Sequence, residues 1–308
     1  MSDGGAWPPV GVVVPTRDRP LLLRRTLAAV AAQDYPGALR TVVVHDRTEP
    51  DQRAAGPAVR VLANTRTPGL AGARNTGILA LDTELVAFCD DDDVWAPDKL
   101  RRQVTLLRQR PAAEFATCAI EVEFRDAVTP RLAGTDRVTV TDLARSRMAM
   151  LHASTFLVRR DSLVAGRGRG IGLVAEDAPG SQNEDWDLLL RAARRGPVAH
   201  VDAPLVRVLW GRTSQFAYEY ATKISSLEWM IARHPEIRAS RPGAARVYGQ
   251  LACWCAAAGD RRGAWRWTRR TLRHNWREPR AAIAVAALCA AVPVERVLAA
   301  LHRRGHGI

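Results

Sequence analysis

The 308-residue sequence predicts an α/β fold, a mostly parallel, Rossmann-like sheet flanked by helices, followed by a small all-α region. Three observations predict it. Short apolar, β-branched runs alternate with stretches of helical spacing through the first third of the chain. Each apolar run stops at a polar residue, which gathers those residues on one edge of a parallel sheet. Beyond Phe216 no strand pattern survives.

Val10–Val14 is the first strand; it ends at Pro15-Thr16-Arg17-Asp18-Arg19-Pro20, and Leu21–Gln33 follows with helical spacing. Thr41–Val44 makes a second strand ending at His45-Asp46, and Val59–Leu62 a third ending at Asn64. A helix over 71–81 leads into Leu85–Phe88, apolar at every position as a central parallel strand should be. Pro97 suits a first helical position, Leu100, Val104 and Leu107 form an apolar stripe, and Pro111 ends that helix. Phe115–Phe124 and Ser154–Val158 read as further strands. The segment Gly166–Gly172 lacks phosphate-loop spacing and reads either as a lid over a site or as a plain connection. Glu184-Asp185 opens a helix whose Trp186, Leu189, Leu190 and Ala193 share one face, so both acids lie in the first turn, where the helix dipole favours anions.

The tail reads as helices over 216–233, 244–258, 261–274 and 280–300, with turns at Gly259-Asp260 and Glu278-Pro279. The stretch from Leu251 to Trp265 has the spacing of one tetratricopeptide hairpin. Trp254, Trp265, Trp267 and Trp276 are expected as packing residues. Two domains are expected, 1–215 and 216–308.

A hydrophobic content of 47% with 25% charged residues excludes a mostly disordered chain. The net charge of +13 is uneven: residues 216–308 hold 16 Lys/Arg against 6 Asp/Glu. Such a face suits nucleic acid, an anionic membrane surface or an acidic polymer. No recognition-helix or RNA-binding signature supports nucleic acid. The five cysteines are odd in number, lack CxxC spacing and sit among apolar neighbours, as buried free thiols in a reducing cytosol would. The first residues show no signal-peptide pattern, and the longest apolar run, Ala281–Val294, is too short to span a bilayer and contains Pro293. The expectation is a cytoplasmic protein, at most peripheral at the inner face of the membrane.

The chemistry concentrates in Asp90-Asp91-Asp92-Asp93, four carboxylates directly after a buried strand and Cys89. Four acids in a row also occur as a solvated turn. At a strand end of an open α/β sheet, however, they would face the ligand crevice, and adjacent buried carboxylates need a cation. Hard oxygen donors point to Mn2+ or Mg2+, and those metals usually accompany phosphates.

Taken in order, the opening strand with Pro15-Thr16-Arg17, the run Val42 to Asp46, the stretch from Asn64 through Gly69 to Gly77, the block Phe88 to Trp95 with Pro97, Lys99 and Leu100, and Asn183 to Leu188 resemble the family-2 inverting glycosyltransferases. The resemblance covers about residues 8 to 215 and is specific as an ordered set rather than piece by piece. It implies a GT-A fold that binds a nucleotide-diphosphate sugar, a UDP- or dTDP-sugar, and transfers the sugar to a hydroxyl of a glycan, a lipid-linked intermediate or a small metabolite. It also implies roles by position. Pro15, Thr16 and Asp46 would line the pocket for base and ribose, with Arg17 beside them and Arg74 near the base or diphosphate. Asp90 and Asp92 match the Asp-x-Asp acids, Asp92 touching the metal and Asp90 the ribose or metal. Asp91, Asp93 and Glu184 join the donor-binding set, and Asp185 matches the general base.

Two departures stand out. His45 precedes Asp46 where relatives usually carry two acids, and Leu209-Trp210-Gly211-Arg212 stands where relatives often carry a metal-binding His, so either the metal has one fewer protein ligand or Arg212 partly replaces that charge. His152, in an apolar context, reads as a core histidine, with Ser154 and Thr155 beside it as candidate donor-sugar contacts. A sugar nucleotidyltransferase is the alternative enzyme, although Pro15-Thr16-Arg17-Asp18 lacks its glycine-rich phosphate loop. A binder of acidic polymers is the non-enzyme alternative. The basic tail would dock on the first domain, mediate a homodimer or touch an anionic membrane.

Overall fold

The computed structural model describes residues 6–124, 127–166, 168–210 and 219–289. Arg212 and the last part of the helix expected over 280–300 lie outside the described residues. In chain order come β1 (Val10–Thr16), α1 (Pro20–Ala31), β2 (Leu39–His45), β3 (Val59–Ala63), α2 (Leu70–Ala80), β4 (Leu85–Phe88), β5 (Val94–Trp95), α3 (Lys99–Gln109) and β6 (Phe115–Phe124). Then follow β7 (Ala127–Arg131), β8 (Arg137–Val138), α4 (Val140–Arg145), β9 (Leu157–Arg159), α5 (Arg160–Val164), α6 (Glu184–Arg195) and β10 (Val198–Trp210). The remaining helices are α7 (Tyr220–Arg233), α8 (Pro235–Ala239), α9 (Arg241–Ala257), α10 (Arg261–His274) and α11 (Pro279–Leu288).

The chain divides into two compact units. The first takes Met1–Val140, Met148–Asp177 and Glu184–Ser214; the second takes Thr141–Arg147, Ala178–Asn183 and Gln215–Ile308. Two short segments from the first 215 residues thus fold with the helices. Asn183 and Ser226 show how: the Asn183 amide donates to Ser226 Oγ, which donates to the Gln182 carbonyl, each at 2.7 Å.

In the first unit the sheet runs β3-β2-β1-β4-β9-β6-β10-β5, with β7 paired to β6 and β8 to β10. β3, β2, β1 and β4 are mutually parallel, in registers such as Val13 with Val42 and Val13 with Phe88. Their carboxyl ends share one edge, as the alternation of runs and polar stops predicts. β9 breaks the pattern by entering antiparallel between β4 and β6, and β5 pairs antiparallel with β10. The sheet is therefore mixed, and the acid run between β4 and β5 turns back toward β10. Val10, Val12, Val14, Val43, Leu85 and Ala87 are fully or nearly fully buried beneath it.

Two glycines shape the entry to α2. Gly69, just before it, has φ of +127°, a backbone conformation that side-chain-bearing residues rarely adopt. At Gly72 an added Cβ would stand 1.8 Å from the Thr67 carbonyl oxygen, so the loop before α2 folds tightly onto its own helix. That loop connects β3 to the helix that carries Arg74.

In the second unit α9 packs against α7, α10 and α11. The α9–α10 hairpin turns at Gly259, φ +80°, and Asp260 caps α10 by accepting from the Gly263 amide at 2.9 Å. Trp267 stacks on Tyr248 and Trp254 on Tyr220, with centroids 5.2 and 5.9 Å apart. Trp265 and Trp276, expected in packing, are instead exposed: the hairpin buries the opposite face of α10 from Trp265, and Trp276 lies past the end of that helix. Four cysteines are buried thiols, whereas Cys289 is exposed. Among the described residues no helix is long and apolar enough to cross a membrane.

Gly72→Ala should lower stability by about 1–3 kcal/mol, seen as a lower urea midpoint at unchanged slope. An unchanged midpoint would contradict the close packing of the loop on α2.

Candidate active site

The acid run is pinned as a turn. The Asp90 amide donates to Ser154 Oγ at 2.9 Å, the Asp93 amide donates to the Asp90 carbonyl at 3.1 Å, and Thr26 Oγ1 donates to the Asp93 carbonyl at 2.8 Å. Successive side chains then leave in different directions. Asp90 meets Arg74 Nη2 at 2.6 Å. Asp91 accepts from Thr16 Oγ1 at 2.7 Å and from Arg19 at 3.3 Å, and Asp92 accepts from Arg19 at 2.8 Å. Asp93, buried, lies 3.7 Å from His152 Nδ1.

These partners do not neutralise the cluster. Burial pushes Asp91 up to about 6, against the pull of the Thr16 hydroxyl and with a further push from Asp92. Burial drives Asp93 well above the ordinary carboxylate range, with Asp90 and Asp92 adding to it. Asp92 shifts in the same direction for the same reasons. A strand end with this many closely spaced carboxylates favours a cation.

Asp90, Asp93 and His152 each offer a ligand atom, and the three atoms lie within 4.8 Å of one another. His152 is therefore no plain core histidine: it faces two acids at the strand edge. Two carboxylate oxygens and an imidazole nitrogen fit Mn2+ well, and Mg2+ less so because of the nitrogen. Asp92, the acid expected to touch the metal, is the more exposed one and is drawn outward to Arg19. Spacing alone does not tell which acids of a turn point inward.

The turn bearing His152 and Ser154 is braced from below. Trp95 Nε1 donates to the Ser154 carbonyl at 3.1 Å, and Gln103 donates to the Thr155 carbonyl at 2.7 Å. Gln103 in turn accepts from Lys99, whose fully buried ammonium sits 3.9 Å from the centroid of Trp95. Burial pushes Lys99 down to about 8.

Arg74 joins the acid run to α6. It is 3% exposed, and it pairs with Asp90 through one terminal nitrogen and with Glu184 through the other. Burial depresses its pKa, but Asp90, Glu184 and Asp185 more than restore it. Glu184, expected to contact the donor, is buried against Arg74; burial raises its pKa and Arg74 opposes the rise. Asp185 is half-buried beside it, its carboxylate accepting from the Trp186 amide at 2.7 Å.

At the opposite end, Pro15 and Thr16 close β1 and are buried, while Arg17 is exposed. Asp46 accepts from Asn64 at 2.7 Å and from the Gly69 amide at 2.9 Å, which ties the ends of β2 and β3 to the start of α2. His45 is buried, and that burial lowers its pKa.

The sequence reading missed Arg19, the bracing role of Lys99 and Gln103, and a clamp on the glycine-rich segment. Asn75 exchanges two 2.9 Å hydrogen bonds with the backbone of Val174 and donates to Glu176 at 2.7 Å. Arg191 donates to the carbonyls of Ile171, Gly172 and Leu173. Residues 171–176 are thus a tethered loop. Burial opposes ionisation of Glu176, but hydrogen bonds from Asn75, Arg66 and the Thr67 amide bring it down to about 2.

For Asp91 the sign follows from its raised folded-state pKa: the folded chain holds the proton more tightly, so stability is lost as pH rises from about 4 to about 6. In chelator, the Asp91→Asn variant should therefore gain stability relative to the parent across that window. Parallel pH profiles in urea unfolding would contradict the buried, raised Asp91.

A model of the family described as "Glycosyltransferase like family 2" matches residues 8–222. An Escherichia coli UDP-Glc:alpha-D-GlcNAc-diphosphoundecaprenol beta-1,3-glucosyltransferase is 21% identical over 142 residues, 44% of this chain and 55% of that protein. Succinoglycan biosynthesis protein ExoW of Rhizobium meliloti is 39% identical over 98 residues, 29% of this chain and 31% of that protein. The aligned chain thus spans about half, or less, of the length of these relatives. Among solved structures, S. aureus TarS 1-349 in complex with UDP-GlcNAc gives a TM-score of 0.57 at 17% identity, covering 94% of this chain and 83% of that one. Mannosyltransferase PcManGT from Pyrobaculum calidifontis, in complex with GDP-Man and Mn2+, gives 0.55 at 20% identity, covering 95% and 79%. At these identities the structures speak for the fold, which is GT-A. The family match over most of the chain carries the assignment: this protein belongs to the glycosyltransferases of family 2.

Proposed function

We propose that the protein transfers a sugar, with inversion at the anomeric carbon, from a nucleotide-diphosphate sugar to an acceptor hydroxyl, using Mn2+ or Mg2+. The observation that carries this reading is the Arg74 bridge, which ties the Asp90 acid cluster to the Glu184-Asp185 start of α6. A cation-seeking cluster and a second, separate carboxylate are the two parts that direct displacement requires.

Asp185 is the general base. It is half-buried at a helix start, and it would take the proton of the acceptor hydroxyl as that oxygen attacks. Arg74 holds Asp185 in range by fixing Glu184, and its positive charge would help offset the negative charge that a departing diphosphate develops. Asp90, Asp93 and His152 would hold the metal, which when bound supplies Lewis-acid stabilisation of the diphosphate leaving group. Asp92 and Arg19 sit at the rim beside them. Pro15, Thr16, Arg17 and Asp46 form the nucleotide end, with Asp46 fixing the loop before α2.

A UDP-sugar is the favoured donor, with a dTDP-sugar second; UDP-GlcNAc in TarS and UDP-Glc in the name of the E. coli relative support it. That relative's name also supports a sugar carried on a lipid diphosphate as acceptor. The protein would then work at the cytoplasmic side of a membrane.

Asp185→Asn should slow transfer by about 100-fold or more while leaving calorimetric donor binding intact. Transfer near the parent rate would defeat the base assignment, and retention of configuration in the product, read by proton NMR, would defeat inversion. His152→Ala should weaken Mn2+ binding by at least about tenfold, since even outer partners of metal ligands carry that much. Unchanged Mn2+ affinity would remove His152 from the metal set.

A further inference from the structure

The structure assigns the outer face of α10 as a docking surface for an anionic phospholipid bilayer. α10 carries Arg261, Arg262, Arg266, Arg269, Arg270 and Arg273 and no acid within its bounds. Gly263, Ala264, Trp267, Thr268 and Thr271 are its buried side, so every one of the six arginines is exposed, Arg266 and Arg270 with their guanidinium groups over the Trp267 ring. Arg262, Arg266, Arg269 and Arg273 follow one another at helical spacing as a stripe, and together the arginines line an open groove.

Little nearby neutralises them. Among the described residues, Glu228 lies 3.6 Å from Arg266, and Asp260 is engaged in capping the helix. The chain's own C-terminal stretch is not complementary either: residues 290–308 add Arg296, Arg303 and Arg304 against Glu295 alone. The face wants a polyvalent anion from outside the chain.

The apolar residues choose which one. Trp265 is 47% exposed and Leu272 44%, and seven residues, about two turns, apart they lie on one strip of the helix at the border of the arginine-bearing face. Trp276, 72% exposed, continues past the helix end. A helix with arginines on its polar flank and Trp and Leu between them has the composition that lies in a bilayer interface, the indole and the leucine at the acyl boundary and the guanidinium groups among lipid phosphates. A duplex backbone would satisfy the arginines and leave Leu272 without an apolar partner. The surface goes beyond the transfer reaction and does not depend on it.

The test is co-sedimentation of the full chain with vesicles of phosphatidylcholine alone and of phosphatidylcholine mixed with phosphatidylglycerol, at low and high salt. Binding is expected only to the mixed vesicles, and weaker at high salt. The variant Arg262→Gln/Arg269→Gln/Arg273→Gln should bind about 100-fold more weakly, and Trp265→Ala/Leu272→Ala should bind more weakly with the salt dependence kept. All five side chains are exposed, so unchanged thermal unfolding is the folding control. Equal binding to both vesicle types, no binding, undiminished binding by the triple variant, or tighter binding to duplex DNA or RNA than to the mixed vesicles would each overturn the proposal. Donor binding, followed by calorimetry in the same preparations, should be unaffected in both variants; its absence from the parent would defeat the transferase reading and leave this surface standing.

Discussion

The site depends on a buried guanidinium. Arg74 is fixed on α2, in the middle of the sheet edge, and it reaches Asp90 16 positions along the chain and Glu184 110 positions along. A charge that deep cannot be left unpaired, and breaking such a pair costs about 3–5 kcal/mol. The end of β4 and the start of α6 are therefore held at fixed separation by the same cation. That is how two groups of acids, far apart in sequence, come to lie side by side.

The acid run shows the converse constraint. Of the four adjacent carboxylates, Asp90, Asp91 and Asp92 share Arg19, Arg74 and the Thr16 hydroxyl as partners while Asp93 faces His152, and the buried ones remain reluctant to ionise. The protein supports this cost with hydrogen bonds to the backbone of the turn and with a brace of Trp95, Lys99 and Gln103 under His152 and Ser154. A divalent cation would relieve the excess charge, and the donor atoms that converge fit one.

Much of the architecture was legible in the chain because its periodicities are strong. Val10 to Thr16, Leu85 to Phe88 and the amphipathic stripe of α3 are long enough, or apolar enough, to declare themselves, and the parallel edge follows from their polar stops. β9 and β5 were harder to read, since strands of three and two residues carry no period and their antiparallel pairing is decided by the chain's return path. The acid cluster and Asp185 were visible as motifs. The convergence of Asp93 and His152 on Asp90 was not, because the direction of each side chain in a turn is set by the hydrogen bonds that the turn backbone makes to Ser154 and accepts from Thr26 rather than by spacing. Asn75 likewise gave no sign that it would mimic a backbone pair with Val174.

The central claim is that the Asp90 edge binds a nucleoside diphosphate together with a divalent cation. Calorimetric titration of UDP, dTDP and GDP into the protein, with Mn2+ present and then removed by chelator, tests it most directly. The account predicts binding of UDP, or of dTDP, that needs Mn2+ and weakens sharply in the Asp90→Asn variant. Binding that ignores both chelator and variant, or no binding of any of the three, would contradict it.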